Sequence, residues 1–362
     1  MRQVVINEQG LYLHAEGDSL IVSRAGIEFQ RIRLGEIETL TLLGRVEISS
    51  GAVAILVQRE IPVIFLTEKG RFRARLWTRT GPDVLLRQKQ FEMARDPDRS
   101  IILARAMVRA KVEHQRRILL RAQRKWKDES VAGCLARMRS IIEEIDKTTD
   151  PGQLLGREGQ AAALYFRHFG RLITKNGFEF GGRSRRPPLD PPNACLSFGY
   201  ALLGTVVETE VLRRGLDPFV GMFHTPRYNR ASLVLDLLEE WRPLVDQLTV
   251  RLINLGQLCP GDFENPIILD PEDILLEPTK AEHLDSATAQ AETAAHGKPA
   301  VHLNATGRKI FLTEFYGRLK ERLHYPLTGQ SLEIREIIGQ QVNLMARTIN
   351  DGTLEYKGFV PD

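Results

Sequence analysis

The chain has 362 residues, 43% of them hydrophobic and 27% charged, with a formal net charge of +4. This length predicts two domains with at least one large core. No run of about 18 apolar residues and no signal-peptide pattern occurs, so the sequence predicts a cytoplasmic protein without a membrane span. Cys134, Cys195 and Cys259 form no CxxC pair, which argues against a zinc ribbon or a disulfide framework and predicts buried free thiols.

Short apolar runs separated by turn residues dominate the first 78 residues and predict strands. The runs are Val4–Ile6, Leu11–Leu13, Leu20–Val22, Ile27–Ile32 and Ile37–Leu42. Glu16-Gly17-Asp18 predicts a hairpin, and Ser49-Ser50 predicts the start of a short helix over residues 52–57. A buried strand is expected over residues 62–66. Residues 1–78 are therefore predicted to form a small β-rich domain, β-sandwich-like with one short helix.

A linker over residues 79–84 is predicted to lead into a larger, mostly α-helical catalytic domain over residues 85–362. Long helical periods predict its helices. They cover Ile101–Trp126, Leu154–Ile173, Leu196–Arg214, Ser232–Leu252 and Lys309–Arg322. Residues 286–299 are polar, alanine-rich and aperiodic, and we expect a mobile loop or a weakly ordered helix there. The predicted fold class is α+β with two domains.

Positive charge is concentrated between Arg71 and Lys127, a stretch that contains 17 Lys or Arg residues and only 5 Asp or Glu residues. This block carries +12 and leaves −8 for the rest of the chain. A phosphate polymer is the partner that such a block suits, and Lys111 and Arg116 are candidate DNA contacts. The alternative is a solvated helical face.

A loop punctuated by glycine and proline over residues 181–193 carries Arg183, Arg185 and Arg186. It cannot be helical throughout, and its guanidinium groups could grip phosphates. A merely exposed loop fits the composition equally well. The helix that follows is apolar enough to belong to the core, so we expect Phe198 and Tyr200 to serve packing.

A histidine followed by an acidic cluster is the strongest sign of chemistry in this sequence. His224 is expected in a loop, with Arg227 beside it as a further DNA-binding candidate, ahead of a helix that carries Asp236, Glu239 and Glu240. Asp236 and Glu239 stand three residues apart on one helix face, so they repel each other unless a cation or proton lies between them. A divalent metal would relieve that repulsion. We expect Asp236 to support the site from behind and Glu240 to lie on a solvated acidic face.

Glu158 is a carboxylate on an apolar helical stripe. Such a group has a raised pKa, pairs with a basic residue such as Arg242, or binds a metal. Together with His224 and Glu239 it would give one imidazole and two carboxylates, a set that suits Mn²⁺ or Mg²⁺. Three ligands leave positions open for water and a phosphate oxygen, as a catalytic metal requires. GxxxxGK[ST], HExxH and GxSxG are absent, which argues against an NTPase, a zincin or an α/β-hydrolase.

Four ordered motifs give the chain its resemblance to a known family. They are Leu154-Leu155-Gly156-Arg157-Glu158-Gly159, Arg185-Arg186-Pro187-Pro188 running on to Leu196-Ser197-Phe198-Gly199-Tyr200-Ala201-Leu202-Leu203, His224-Thr225, and Leu235-Asp236-Leu237-Leu238-Glu239-Glu240-Trp241-Arg242-Pro243. Over nearly its whole length the chain resembles the CRISPR-associated protein one family, the integrases of spacer acquisition.

This resemblance implies that Glu158, His224 and Glu239 bind the divalent metal, Mg²⁺ or Mn²⁺, with Asp236 as the alternative third ligand one turn earlier. It implies an enzyme that joins the 3′-hydroxyl ends of captured double-stranded DNA to the CRISPR repeat. It also implies homodimers formed through the N-terminal domain, two of which flank a small companion dimer, and a fused or associated end-processing nuclease. A general metal-dependent DNA nuclease and a non-catalytic DNA-binding scaffold are the alternative functions.

Overall fold

A computed structural model of the chain describes residues 2–76, 83–185, 187–224, 227–228, 230–265, 299–352 and 355–361. The chain divides into two compact units. The described residues up to 76 belong to the first unit, and those from 83 onward belong to the second. Most of the predicted linker over residues 79–84, and all of the segment over residues 286–299 except Pro299, lie outside the described residues.

Within residues 2–76, the first unit contains two four-stranded sheets and one α-helix. Its strands are β1 Arg2–Ile6, β2 Leu11–Glu16, β3 Ser19–Arg24, β4 Ile27–Arg33, β5 Ile37–Leu43, β6 Val46–Ile48, β7 Val63–Leu66 and β8 Phe72–Leu76, and its helix is α1 Ser50–Gln58. One sheet has the order β1-β5-β7-β8 and the other the order β4-β3-β2-β6. The predicted strands, hairpin and helix are all confirmed.

One core fills the first unit, because buried residues of both sheets and of α1 pack together. Leu13 and Leu40, from different sheets, and Leu56 of α1 belong to this single cluster. The hairpin between β2 and β3 turns over two residues, with Glu16 paired to Ser19. A sheet that is apolar on one face must bury it, and here the second sheet covers it. The β-sandwich-like prediction is thereby confirmed.

The second unit is mainly helical within the described residues. Its helices are α2 Val84–Arg95, α3 Pro97–Trp126, α4 Glu129–Lys147, α5 Pro151–Phe169, α6 Pro191–Arg213, α7 Ser232–Asn254, α8 Ala305–Leu319 and α9 Ile334–Asp351. Short strands form two antiparallel pairs, β9 Phe263–Glu264 with β10 His302–Leu303, and β11 Arg322–Tyr325 with β12 Gln330–Glu333. Each of the five helical periods lies mainly on one of these helices, but the predicted ends at Ile173 and Arg322 are wrong, since α5 ends at Phe169 and α8 at Leu319. Helices α2, α4 and α9 were not predicted.

Helix α6 is largely buried within the second unit. By length and composition alone it could cross a membrane, but 61% of its most apolar window is buried inside the fold. Gly199 lets α7 and α8 approach closely, because a Cβ at this position would lie 2.4 Å from Val245 Cγ1 and 2.8 Å from Phe311 Cζ. A helix that is apolar on all sides belongs in a core, and α6 fits that description.

The cysteines are free thiols, as predicted, but their burial differs. Cys134 and Cys195 are buried, whereas Cys259 is exposed. The prediction of three buried thiols is therefore wrong for Cys259, which lies in the turn after α7 and not on an apolar helix face.

Candidate active site

Three helices bring two acidic side chains onto one lysine. The Nζ atom of Lys111, on α3, contacts Glu158 Oε1 of α5 and lies 2.5 Å from Glu239 Oε2 of α7. The side chains of Lys111 and Glu239 are only 5% and 6% exposed, and that of Glu158 is 16% exposed. Glu158 and Glu239 are 81 positions apart in the sequence, yet they share one cation in the fold.

The local sequence explains why α3 and α5 run through this point. The side chain of Asp96 accepts hydrogen bonds from the first turn of α3, and Asp150 does the same for α5, each followed by a proline at the first helical position. Lys111 occupies a position on the inward stripe of α3 whose neighbours, Met107 and Val108, are buried. A buried lysine needs a partner, and the two carboxylates supply it.

The electrostatics of this cluster favour the charged forms. Burial by itself would lower the pKa of Lys111, but the carboxylates of Glu239 and Glu158 outweigh it and raise that pKa. Burial would raise the pKa of Glu239, but Arg242 and Lys111 outweigh it, His224 adds a smaller contribution, and the pKa is lowered. The Nε atom of Arg242 lies 3.1 Å from Glu239 Oε1, one turn along α7.

His224 is held by Asp236 in a loop before α7. Asp236 is fully buried, and its carboxylate accepts hydrogen bonds from the backbone N–H groups of Met222 at 2.5 Å, Phe223 at 2.9 Å and His224 at 2.9 Å. Its Oδ1 atom also lies 2.7 Å from His224 Nδ1. A carboxylate bound to Nδ1 favours the tautomer with its proton on Nδ1, which leaves Nε2 as a ligand atom.

Glycine at position 221 is required for this arrangement. A Cβ at Gly221 would lie 2.7 Å from Asp236 Oδ2 and 2.8 Å from the Ser232 backbone. The loop can therefore approach the first turn of α7 only without a side chain there. The geometry supports the predicted role of Asp236 behind the site, because both of its oxygens are occupied by the loop.

The donor set fits a divalent ion, although the side chains are not gathered around one point. Within the described ranges, no three His, Cys, Asp or Glu side chains are placed so as to hold a metal together. Glu239 Oε2 accepts no hydrogen bond from the described residues and contacts Lys111 without hydrogen-bond geometry. This buried oxygen is already paired with the Lys111 ammonium, so a metal ion would bind here in place of that ammonium. Two carboxylates that already share a cation, together with an imidazole held by Asp236, are ligand types that suit Mg²⁺ or Mn²⁺.

Asp246 lies one turn after Arg242 on α7 and binds Tyr200, whose ring contacts Arg242. The Tyr200 hydroxyl donates to Asp246 Oδ1 at 2.5 Å, and burial raises the pKa of Asp246 to about 6. The guanidinium groups of Arg242 and Arg183 lie over the Tyr200 ring at 5.0 and 5.4 Å. Tyr200 is buried as predicted, and its ring also contacts both guanidinium groups, of which that of Arg242 pairs with Glu239.

The predicted DNA contacts have different environments. Lys111 is buried and paired with both acids, so its predicted place on an open DNA-binding surface is wrong. Arg183 is half-buried and donates to Asn193 Oδ1 at 2.8 Å. Arg116 pairs with Glu113 at 2.8 Å on α3. Arg185 and Arg227 are exposed, and Arg186 lies outside the described residues. The DNA role of these arginines stays a prediction.

The predicted environments of two acidic residues, Glu240 and Glu158, differ from those in the structure. Glu240 is fully buried and accepts hydrogen bonds from Gln341 and Phe359, so the predicted solvated acidic face is wrong at this position. The reason is that residues near the C-terminus cover this side of α7. The alternative for Glu158, a salt bridge with Arg242, is realised with Lys111 instead, and Arg242 pairs with Glu239.

A match to a family model decides the family. The model of CRISPR associated protein Cas1 matches residues 4–284. A relative from Chlorobaculum tepidum, CRISPR-associated endonuclease Cas1 1, is 32% identical over 367 residues, covering 99% of this chain and 98% of the relative. The chain belongs to the Cas1 family. The family resemblance predicted from its four motifs is thereby confirmed.

Two further Cas1 proteins show how the fold is used in larger chains. A Cas4 exonuclease and Cas1 endonuclease fusion from Geobacter sulfurreducens is 29% identical, over 96% of this chain but only 58% of the fusion. A chain of the solved Cas6-RT-Cas1–Cas2 complex matches with a TM-score of 0.77 and 22% identity, over 99% of this chain and 36% of the matched chain. The second match shows the shared fold.

Proposed function

We propose that this chain is the metal-dependent DNA integrase and endonuclease of CRISPR adaptation. Its membership of the Cas1 family supports this function, as does the name of the relative from Chlorobaculum tepidum, an endonuclease. The observation that carries the proposal is the convergence of Glu158 and Glu239, from different helices, on a single cation in the helical unit. Charged side chains that are brought together inside a fold are typical of functional sites, and this cluster contains two of the acids of the family motifs.

The proposed joining reaction exchanges one phosphodiester bond for another. The 3′-hydroxyl oxygen of a captured fragment bonds to the phosphorus of a repeat phosphodiester, and the bond from that phosphorus to the repeat's own 3′ oxygen breaks. The hydroxyl proton passes to solvent, and the departing 3′ oxygen takes up a proton. The number of phosphodiester bonds is conserved, so the step needs neither a nucleotide cofactor nor a covalent enzyme intermediate. Water in place of the hydroxyl gives cleavage.

Glu158, His224 and Glu239 are the residues that we propose to hold Mg²⁺ or Mn²⁺. A bound divalent ion supplies Lewis-acid stabilisation of the negative charge that develops on the phosphoryl oxygens. Asp236 keeps the imidazole of His224 in one orientation. Arg242, whose side chain is only 16% exposed, adds fixed positive charge beside Glu239.

The DNA would be bound by the basic residues that stay exposed near the site. Arg227 follows His224 by three positions and is exposed, and Arg185 is exposed on the loop before α6. Contacts of this kind release counterions, so affinity for double-stranded DNA should fall steeply as salt concentration rises.

We propose partners of the kinds that are named for similar proteins. One relative is fused to a Cas4 exonuclease, and a solved structure of the same fold is a complex with Cas2. We propose that this chain forms a homodimer through its β-rich unit, and that two homodimers flank a dimer of a small companion protein. An associated end-processing nuclease would supply trimmed fragments. Light scattering of the chain with and without the companion tests this stoichiometry.

The test of the function follows a labelled fragment with free 3′-hydroxyl ends, a supercoiled plasmid that bears the repeat, and Mn²⁺ or Mg²⁺. A joined product is the expected result. Cleavage of the plasmid without joining would support the alternative of a general nuclease.

A pair of variants separates the enzyme from a DNA-binding scaffold. Glu158→Ala should abolish joining and cleavage while DNA binding persists, because it removes one of the proposed ligands. Glu143→Ala is the matched control, since Glu143 is exposed on α4 and pairs with Arg139 at 3.5 Å. An unchanged reaction in Glu158→Ala would contradict the proposal and favour the scaffold.

A further inference from the structure

The last described residues of the chain, 355–361, form an extended segment that we call the C-terminal strap. Two of its aromatic side chains are buried, with Tyr356 and Phe359 only 2% and 4% exposed. The strap contains no helix or strand. Its burial therefore depends on the helices that it contacts.

The strap is bound to α7 at the residue next to Glu239. The Glu240 carboxylate accepts a hydrogen bond from the Tyr356 hydroxyl, and its Oε2 accepts one from the Phe359 backbone N–H at 2.9 Å. The Trp241 ring stacks on the Phe359 ring with centroids 5.1 Å apart and planes 20° apart. Since successive residues of a helix point about 100° apart, Glu239 and Glu240 can serve different sides of α7.

The strap also contacts α3 at the residue next to Lys111. A Cβ on Gly358 would lie 2.5 Å from Ala110 Cβ and 2.6 Å from the carbonyl oxygen of Ala106. The backbone of the strap therefore lies directly on α3, and only glycine permits this approach. Farther along α3, the Arg117 guanidinium donates to the carbonyl oxygen of Pro361.

Helix α9 fixes the same carboxylate from a second direction. The Gln341 amide donates to Glu240 Oε2 at 3.0 Å and to the Lys357 carbonyl oxygen at 3.0 Å. Its Oε1 accepts from the Tyr325 hydroxyl at 2.8 Å. A buried carboxylate with three donors costs desolvation energy, and it specifies one arrangement of its partners more sharply than apolar packing does.

We propose that the C-terminal strap is a positioning segment for the carboxylate cluster. It contacts α3 at Ala110 and α7 at Glu240, and Lys111 and Glu239 are the adjacent residues. When the strap is docked, it fixes the distance between these two helices and hence the position of the Glu239 carboxylate. Glu240 and Gly358 act through their neighbours and do not touch the reacting atoms. The inference rests on the proposed function and adds a positioning role that is absent from the motifs.

The test uses graded strap variants of the full chain. Gly358→Ala adds one methyl group against α3, Phe359→Ala removes the ring that stacks on Trp241, and Tyr356→Phe removes only a hydroxyl, so it keeps the test valid if the other two fail to fold. The control is Phe315→Ala, because Phe315 of α8 is fully buried and its truncation destabilises the same unit. All proteins carry Trp77→Phe and Trp126→Phe, which leaves Trp241 as the reporter of strap docking.

Three quantities are measured below the melting temperature of every variant: the emission maximum of Trp241, the Mn²⁺ affinity without DNA, and the single-turnover joining rate. In the strap variants the emission should shift to the red, and Mn²⁺ affinity and joining rate should fall together by about tenfold, as they do when groups behind a metal site are lost. The control should lower the melting temperature and leave Mn²⁺ affinity and joining rate within about twofold. Red-shifted emission with wild-type affinity and rate would overturn the proposal, as would an equal loss in the control.

A fourth readout separates this proposal from the proposed function. Reductive methylation of Lys111, read by mass spectrometry, depends on neither metal nor DNA. Undocking of the strap should raise its labelling rate about tenfold through local opening, whereas the control should not. If the wild-type chain neither binds Mn²⁺ nor joins DNA, the proposed function fails, and the labelling result alone decides the strap. Equal labelling in wild-type and strap variants whose Trp241 emission has shifted would overturn it.

Discussion

The two sides of the candidate site are held together by different forces. On the histidine side, Asp236 places His224 through a set of hydrogen bonds to one loop. On the carboxylate side, Glu158 and Glu239 are brought together by the charge of Lys111. The first side is complete without any added ion. The second depends on a cation, so it is the side where metal binding should rearrange the protein.

Loss of a carboxylate should have the largest effect, because it removes a proposed metal ligand outright. We expect Glu239→Gln to lower the joining and cleavage rates by at least about 10³-fold with DNA affinity unchanged. Single-turnover assays with Mg²⁺ or Mn²⁺, together with a gel shift, measure both quantities. Glu143→Gln, on the exposed face of α4, is the control. A Glu239→Gln protein with near-normal rates would remove the carboxylate side from the mechanism.

Replacing Lys111 should show directly whether the Glu158 and Glu239 carboxylates need a cation between them. Without metal, Lys111→Met leaves buried carboxylates with less compensating charge, and we expect it to lower the free energy of unfolding by about 3 kcal/mol. Saturating Mn²⁺ should restore much of this loss, since an ion that binds only the folded state stabilises it. The rise in melting temperature on adding Mn²⁺ should therefore be larger in Lys111→Met than in wild type. Equal rises in both proteins would show that lysine and metal do not occupy the same place.

Disruption of the histidine side should have a smaller effect on the metal than loss of a ligand. Asp236→Asn keeps the size of the side chain but sets an amide N–H₂ against backbone N–H donors. We expect Mn²⁺ affinity and joining rate to fall about 10-fold to 100-fold, the usual cost of losing a group that orients a ligating histidine. Titration with Mn²⁺ followed by electron paramagnetic resonance measures the affinity. A loss as large as that of Glu239→Gln would instead make Asp236 itself the third ligand.

The smallest predicted effect concerns a second histidine, His114, which the proposed mechanism does not use. His114, on α3, is buried, and burial lowers its pKa to about 3. The unfolded chain protonates this residue below pH of about 6.5, so between that pH and 3 the unfolded state binds more protons and stability falls as pH falls. His114→Gln should reduce the loss of unfolding free energy between pH 6.5 and 5 by about 1.5 kcal/mol. Urea denaturation at both pH values checks this, and an unchanged slope would contradict the neutral state of His114.

Much of this architecture could be predicted from local sequence. The strands of the first unit alternate or run apolar between turn residues, and the helix at Ser50 has its N-cap in Ser49. Hydrophobic periodicity and helix capping depend on neighbouring residues, so both can be recognised without knowledge of the fold. The proposed ligands were identified by motif, and the structure places Glu158 and Glu239 together on one cation.

Features that depend on distant partners could not be predicted in the same way. Glu240 is buried by Phe359, 119 positions later, and nothing within α7 distinguishes it from a solvated acid. Lys111 was assigned to a basic surface because a count of charges along the sequence does not show whether a side chain points inward or outward. A signal was present, since Lys111 continues the buried stripe of Met107 and Val108, but only the fold supplies the carboxylates that make a buried lysine tolerable.

The most direct test of the account is the position of manganese in crystals of the wild-type chain, found from its anomalous scattering. We expect one ion bound by Glu158, His224 and Glu239 at about 2.0–2.3 Å, with the Lys111 ammonium displaced from between the carboxylates. A saturating soak that leaves Lys111 between Glu158 and Glu239, with no ion on the three side chains, would contradict it.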